Sequence, residues 1–228
     1  IGVRLVGSEM CIRDSRVALQ HLECIEPFVE EHKREIEQNF IDMGRPRKMG
    51  DVIKEHNSSF TRWFKKSQLR QAQRKPPSTE DEMVIYTLSQ GPGQNVRTYQ
   101  GYDITGYRFC TEDKDRSSEN QNSGVTMLSY GDDETNVKER FFGKIEEIWE
   151  LNYCGETVPM FRVRWAKKVE KERYFTTMVI PDAKSKNEST KNEPWVLASQ
   201  VDQCFFITDP SKPSRVVVRR GKRSIIGM

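Results

Sequence analysis

The sequence predicts an α+β protein, with N-terminal helices followed by a small, mostly antiparallel β-barrel of SH3-like or related kind. Three observations carry this. Between residues 22 and 64 the apolar residues recur every three or four positions, the period of amphipathic helices. Beyond residue 139 they alternate with polar ones, the period of half-buried strands. Those later runs are short, number five or six, and are interrupted by one long polar loop, which suits a small barrel. The expected division is 16–75 helical, 76–136 a linker with short strands, 137–220 the barrel and 221–228 a basic tail.

Residues 1–15 are set aside. Leu5-Val6-Gly7-Ser8-Glu9-Met10-Cys11-Ile12-Arg13-Asp14-Ser15 resembles the translation of a sequencing-library adaptor, a scar to be excluded from fold reasoning, and the native start is expected elsewhere. The first helix places Leu22, Ile25, Val29, Ile36 and Phe40 on one side, with Pro27 in its first turn and Glu30 and Glu31 toward the positive end of its dipole. Gly44-Arg45-Pro46 stops it. In the second helical segment Asp51 is the expected cap, Ile53, His56, Phe60, Trp63 and Phe64 form the packed side, and Asn57-Ser58-Ser59 is a point where the helix splits in two.

Arg74-Lys75-Pro76-Pro77-Ser78 reads as a linker, Met83–Leu88 as a short helix, and Gly91-Pro92-Gly93 as the turn that ends it. This Gly-Pro-Gly lacks the Gly-Lys-Ser/Thr and the flanking strand and helix of a phosphate-cradling loop. Short strands follow at Val96–Tyr99, Tyr102–Ile104, Tyr107–Cys110 and Val125–Tyr130, with a hairpin turn ending at Gly106 and a polar loop from Glu112 to Ser123. Periodicity leaves open whether these make a sheet of their own or join the barrel.

In the barrel the odd positions from Phe141 to Tyr153 share one face, and Phe161, Val163 and Trp165 share another, opposite Arg162 and Arg164. The turn between the two runs centres on Gly155. Tyr174–Ile180 is a third strand, Asp182–Glu193 an exposed loop without apolar residues to order it, and Trp195–Ala198, Val201–Ile207 and Arg215–Arg219 complete the set.

A net charge of +3, a pI near 8.5, a hydrophobic share of 35% and a mean hydropathy of −0.77 describe a polar chain whose charge matters by placement. Between residues 42 and 75, Arg45, Arg47, Lys48, Lys54, Arg62, Lys65, Lys66, Arg70, Arg74 and Lys75 face only Asp42, Asp51 and Glu55, and the chain ends with Lys212, Arg215, Arg219, Arg220, Lys222 and Arg223. The candidate nucleic-acid contacts are Arg45, Arg47, Lys48, Arg62, Lys65, Lys66, Arg70, Arg219, Arg220, Lys222 and Arg223, against the plainer reading of solvated helix and tail surfaces.

No catalytic residue, metal ligand or cofactor site is expected. The five cysteines, at 11, 24, 110, 154 and 204, show no CxxC pair, which fits reduced thiols inside a cell. His21, Cys24 and His32 lack the clustering a zinc site needs, and the histidines, with His56, lie far in sequence from Cys110, Cys154 and Cys204. Asp103, Asp132, Asp133, Glu146, Glu147 and Asp202 do not mark the strand ends of a two-metal nuclease. Phe141, Phe142, Trp149, Tyr153, Trp165, Tyr174, Phe175 and Trp195 are candidates for core, with an open cage for methylated lysine or a base-stacking surface as the alternative. No apolar run has the roughly 20 residues of a membrane span.

The run Phe142–Tyr153, then Val158–Trp165, then Leu197–Val201 and Phe205–Pro210 resembles the domain of unknown function near the C-terminus of plant CACTA-type (En/Spm) transposon proteins. Glu26–His32, Phe60–Phe64, Gly101–Phe109 and Gln121–Val125 are similar to the segments that precede it in those proteins. Val163 departs from the family, which often has cysteine there. The resemblance implies a non-catalytic accessory region of a transposase-like protein, nuclear, with DNA or chromatin and other transposase subunits as partners, no membrane, no cofactor, and no catalytic residue to carry over. The alternative is a protein-interaction or chromatin-reading barrel without nucleic-acid contact.

Overall fold

The computed structural model describes residues 2–5, 22–44, 48–93, 95–130, 138–171, 176–180, 195–209 and 212–220. They form mixed helix and antiparallel strand, divided into two compact units. One comprises Leu5–Asn95 with Leu151–Val158, the other Ile1–Arg4, Val96–Glu150 and Pro159–Met228. The expected loop Asp182–Glu193, Tyr174, Phe175, His21 and the tail 221–228 lie outside the described residues.

In the helical unit a short 3-10 turn, Glu23–Ile25, leads into α1, Glu26–Asp42, with Pro27 in its first turn. Val29, His32 and Ile36 form its buried stripe, and Gly44, at φ +67°, takes the left-handed conformation that ends it. Helix α2, Met49–Arg74, is continuous where a split was expected. The hydroxyls of Ser58 and Ser59 donate to the Glu55 carbonyl at 2.9 and 2.7 Å, so both serines are satisfied inside the helix and offer the backbone no competing turn. Lys48, not Asp51, is the cap residue, with no side-chain cap; Asp51 lies in the first turn beside the positive end of the dipole. The buried stripe runs Val52, His56, Phe60, Phe64, Gln68 at successive fours. That places Ile53, expected in the core, in solvent at 46% exposure.

Helix α3, Glu80–Ser89, starts earlier than its apolar residues indicate, because Thr79 and Glu82 form a capping box. Thr79 Oγ1 accepts the Glu82 amide at 3.2 Å, while the Glu82 carboxylate accepts the amides of Ser78 and Thr79 at 2.7 and 3.2 Å. These donors hold the Glu82 carboxyl down to about 2.

The strands are β1 Gly2–Leu5, β2 Asn95–Tyr99, β3 Gly101–Ile104, β4 Tyr107–Cys110, β5 Gly124–Tyr130, β6 Lys138–Tyr153, β7 Glu156–Trp165, β8 Lys168–Lys171, β9 Thr176–Val179, β10 Trp195–Leu197, β11 Asp202–Asp209 and β12 Lys212–Arg220. The main sheet has the order β1-β2-β6-β5-β11-β12-β9-β8, with β7 also on β6 and β10 on β7. Among the described residues this path does not close into a barrel. The segments between residues 95 and 130 take both courses the sequence left open: β3 and β4 pair with each other, whereas β2 and β5 join β6. Residues 2–5, set aside in the sequence, form the strand beside β2. The polar stretch after Cys110 holds a one-turn helix, α4, Glu112–Asp115, capped by Thr111.

Both tight hairpins put two consecutive residues at positive φ, Thr105 (49°) and Gly106 (79°) in one, Cys154 (53°) and Gly155 (115°) in the other. That is the turn whose twist matches the strands it joins. Gly143, Ile145, Trp149, Leu151 and Tyr153 of β6 are all buried, but not on the one face expected of them, because the alternation does not run unbroken along the strand. It slips in the middle: Ile145 and Ile148 are both fully buried in one cluster with Phe109, Phe161 and Val163, while Glu146 and Glu147 between them face outward together. Arg162 on β7 reaches both, Glu146 at 3.9 Å and Glu147 at 2.8 Å, two residues against one as in a β-bulge. Phe142 is buried on the other side, against Met178, Cys204 and Phe206.

Gly143 sets the approach of β7 to β6. A Cβ there would lie 2.5 Å from Val163 Cγ1 and 2.8 Å from the Arg164 carbonyl oxygen. Gly143→Ala is expected to destabilise the protein by about 1–3 kcal/mol through overpacking. Gly50→Ala, in open space near the start of α2, is expected to stabilise it by about 0.5–1 kcal/mol. Chemical denaturation of the two variants should move the midpoint in opposite directions.

Candidate nucleic-acid interface and the histidine pair

The stripe that buries one side of α2 fixes what its other side shows. At about 100° per residue, Lys54, Arg62, Lys65, Lys66 and Arg70 fall away from the line through His56, Phe60 and Phe64, and all five are exposed. Residues 56–79 contain no Asp or Glu, so Arg62, Lys65, Lys66, Arg70, Arg74 and Lys75 form an acid-free cationic run. Among the described residues no carboxylate pairs with Arg62, Lys65, Lys66 or Arg70. Lys65 Nζ donates to the Gln90 carbonyl at 3.4 Å and Arg70 Nε to the Lys66 carbonyl at 3.4 Å, while Lys75 pairs with Glu82 at 3.5 Å.

Of the other expected contacts, Lys48 is exposed at the start of α2, and Arg219 and Arg220 lie in β12 opposite Phe205 and Cys204. Arg45, Arg47, Lys222 and Arg223 lie outside the described residues. The structure thus brings Arg62, Lys65, Lys66 and Arg70 together on one helix.

The aromatic alternative fares differently. Phe142, Trp149, Tyr153, Trp165 and Trp195 are buried and Phe141 is half-buried, with Trp149 and Trp195 packed against each other at 4.2 Å between ring centroids. Trp63 is half-buried and spends its Nε1–H on Glu35 at 2.7 Å. These described rings serve as core and bracing, while Tyr174 and Phe175 of the same set lie outside the described residues.

The described acidic candidates are engaged too, while Asp132 and Asp133 lie outside the described residues. Arg164, 12% exposed, bridges Glu146 at 3.1 Å and Glu112, which also takes Lys144 at 3.1 Å. Asp103 pairs with Arg108 and Asp202 with Arg140. Among the described residues no group of three or more His, Cys, Asp or Glu is placed to hold a metal ion. None of the four described cysteines is in a disulfide, and burial raises the Cys110 thiol.

Sequence reasoning missed the pairing of His32 and His56. His32 continues the Val29–Ile36 stripe and His56 the Val52–Phe60 stripe, so two residues read separately meet at the α1–α2 seam, 4% and 1% exposed. Their Nδ1 atoms are 2.9 Å apart. His32 Nε2 lies 3.4 Å from Ser59 Oγ, whose hydroxyl donates to Glu55, and His56 Nε2 has no partner among the described residues. The rings pack among Phe60 and Trp63, and a groove of about 320 Å³ lined by Glu35, Phe40, Met43, Glu55 and Trp63 opens on His32. Burial lowers both imidazoles. For His32 Glu35 and Glu55 oppose it; His56, with His32 and Lys33 adding and Glu30 opposing, falls to about 4.

No protein-family model, curated protein or solved structure matches the chain.

The ion pairs at Glu112 tie stability to pH. Burial pushes its carboxyl up, but Lys144 and Arg164 outweigh it and hold it below the ordinary range. The stability it contributes is therefore present above the unfolded carboxyl value and lost as pH falls through the lower, folded one. Glu112→Gln is expected to cost about 1.5–3 kcal/mol at pH 7. The gap to the unmodified protein should narrow in acid, where its own carboxyl is protonated, in denaturation measured at both pH values.

Proposed function

We propose that the chain is a non-catalytic accessory region of a transposase-like protein, working in the nucleus, that helps hold nucleic acid within the transposition complex. The observation that supports this most is the acid-free cationic run on α2, exposed along a helix whose other side is committed to packing. A merely solvated helix surface commonly intersperses carboxylates among its lysines and arginines, whereas the 24 residues 56–79 contain none. The resemblance of residues 142–210 to the C-terminal domain of CACTA-type transposon proteins supplies the setting, and an SH3-like closure of the strand unit belongs to the same reading.

The chemistry is that of phosphate contact. Each cation that neutralises a phosphate releases condensed counterions, so affinity falls with salt and carries little sequence information by itself. With four such contacts, log K should fall with log salt at a slope of roughly −3.6 on duplex DNA.

Fluorescence anisotropy on a labelled duplex between about 50 and 200 mM salt tests this. The triple variant Lys65→Glu, Lys66→Glu, Arg70→Glu is expected to bind at least about tenfold more weakly and to flatten the slope by about 2.7. Its helix content should be unchanged, because all three positions are exposed. Binding that is absent, indifferent to salt, or untouched by the triple change contradicts the proposal.

A further inference from the structure

We propose that His32 and His56 form a proton-sensitive latch between α1 and α2: a neutral pair in opposite tautomers that holds the helices together and loosens them when the pair takes up a proton. This does not rest on the nucleic-acid reading. Two Nδ1 atoms 2.9 Å apart bind only if one carries the hydrogen and the other a lone pair; two hydrogens collide and two lone pairs repel. The order of the pair follows from its other ends. Orphaned buried N–H groups are rarer than under-satisfied acceptors, so the partnerless Nε2 of His56 is the bare nitrogen. His56 then carries its hydrogen on Nδ1 and donates it to His32 Nδ1. His32 carries its own on Nε2, facing Ser59 Oγ at 3.4 Å, and the Ser59 hydroxyl passes the direction on to the Glu55 carbonyl at 2.7 Å. Every hydrogen in the chain meets an acceptor.

An added proton has one open nitrogen, His56 Nε2. There it creates a charge on a ring 1% exposed, with an N–H that finds no acceptor among the described residues. The charged groups that face the rings are Glu30, Lys33 and Glu35 from α1 and Glu55 from α2; on α3, Asp81 acts on Cys24 instead. Glu30, Glu35 and Glu55 are exposed, so their attraction is screened by water. The groove that opens on His32 gives solvent a way to the pair. Relief comes from parting the helices and hydrating the ring.

The sign follows. The folded imidazole binds its proton less readily than the unfolded one, so the stability from the neutral pair is complete above about pH 6.5 and is lost as pH falls toward about 4. With those two values, going from pH 7.5 to pH 5 raises the opening equilibrium of the helical unit roughly 30-fold. Most carboxylates are still ionised at pH 5, which leaves that interval to the histidines.

Two measurements on the full chain decide it. Long-range ¹H–¹⁵N spectra of the imidazoles at pH 7.5 are expected to show His56 as the Nδ1–H tautomer and His32 as the Nε2–H tautomer; the same tautomer in both rings overturns the latch. Amide protection factors across α1 and α2, corrected for intrinsic exchange, are expected to drop roughly 30-fold between pH 7.5 and 5. His56→Gln should remove at least tenfold of that drop. Unchanged protection in the unmodified protein, or a full drop in His56→Gln, overturns the proposal, and should the variant fail to fold, the tautomers and protection of the unmodified protein still decide.

Discussion

The seam between α1 and α2 is the contact on which the helical unit depends. Five residues of α2 at successive fours, Val52 to Gln68, are buried, and Val29, His32 and Ile36 answer them from α1. A helix so committed has no freedom to choose what it shows: its lysines and arginines are outward because the stripe is inward. The aromatic part is dense. Phe60 and Phe64 stack at 5.6 Å between centroids and Phe28 packs on Phe64 at 5.1 Å. Placing two imidazoles in that seam is costly unless both stay neutral, which ties the packing of the unit to a protonation state.

The strand unit handles charge in the opposite way. Its arginines and lysines are interleaved with carboxylates, as in Arg164 with Glu112 and Glu146, Arg162 with Glu147, and Arg97 with Glu150, which also accepts the hydroxyls of Tyr99 and Tyr102. Burial and the Glu150 carboxylate together push the Tyr102 hydroxyl to about 12, so it stays a donor. Those described cations of the strand unit serve as internal partners; Arg62, Lys65, Lys66 and Arg70 on α2 have no carboxylate partner among the described residues. This contrast, not the modest net charge, is why the nucleic-acid reading settles on Arg62, Lys65, Lys66 and Arg70.

Where local rules and packing agree, the sequence was legible. The β6–β7 hairpin, its turn at Gly155 and the buried face of Phe161, Val163 and Trp165 follow from period-two alternation and a glycine free to take positive φ. The cationic side of α2 was visible as well. What escaped depended on neighbours that periodicity does not see. Asn57-Ser58-Ser59 looks like a break until the two hydroxyls are seen satisfied by the Glu55 carbonyl. The choice of Val52 over Ile53 for the core is a rotation of one residue that only the partner helix fixes. The slip at Glu146 and Glu147 requires knowing that Arg162 lies across from both. The histidine pair, 24 residues apart, would have shown itself only by laying the two stripes side by side.

We propose that packing along one side of α2 presents the other to phosphate. Amide chemical-shift mapping during titration with a short duplex tests it most directly. Perturbations are expected to centre on residues 62–70 of α2, largest at Arg62, Lys65, Lys66 and Arg70 and weak at Phe60 and Phe64. Shifts confined to the strand unit, or an α2 that does not respond while DNA is bound, would contradict it.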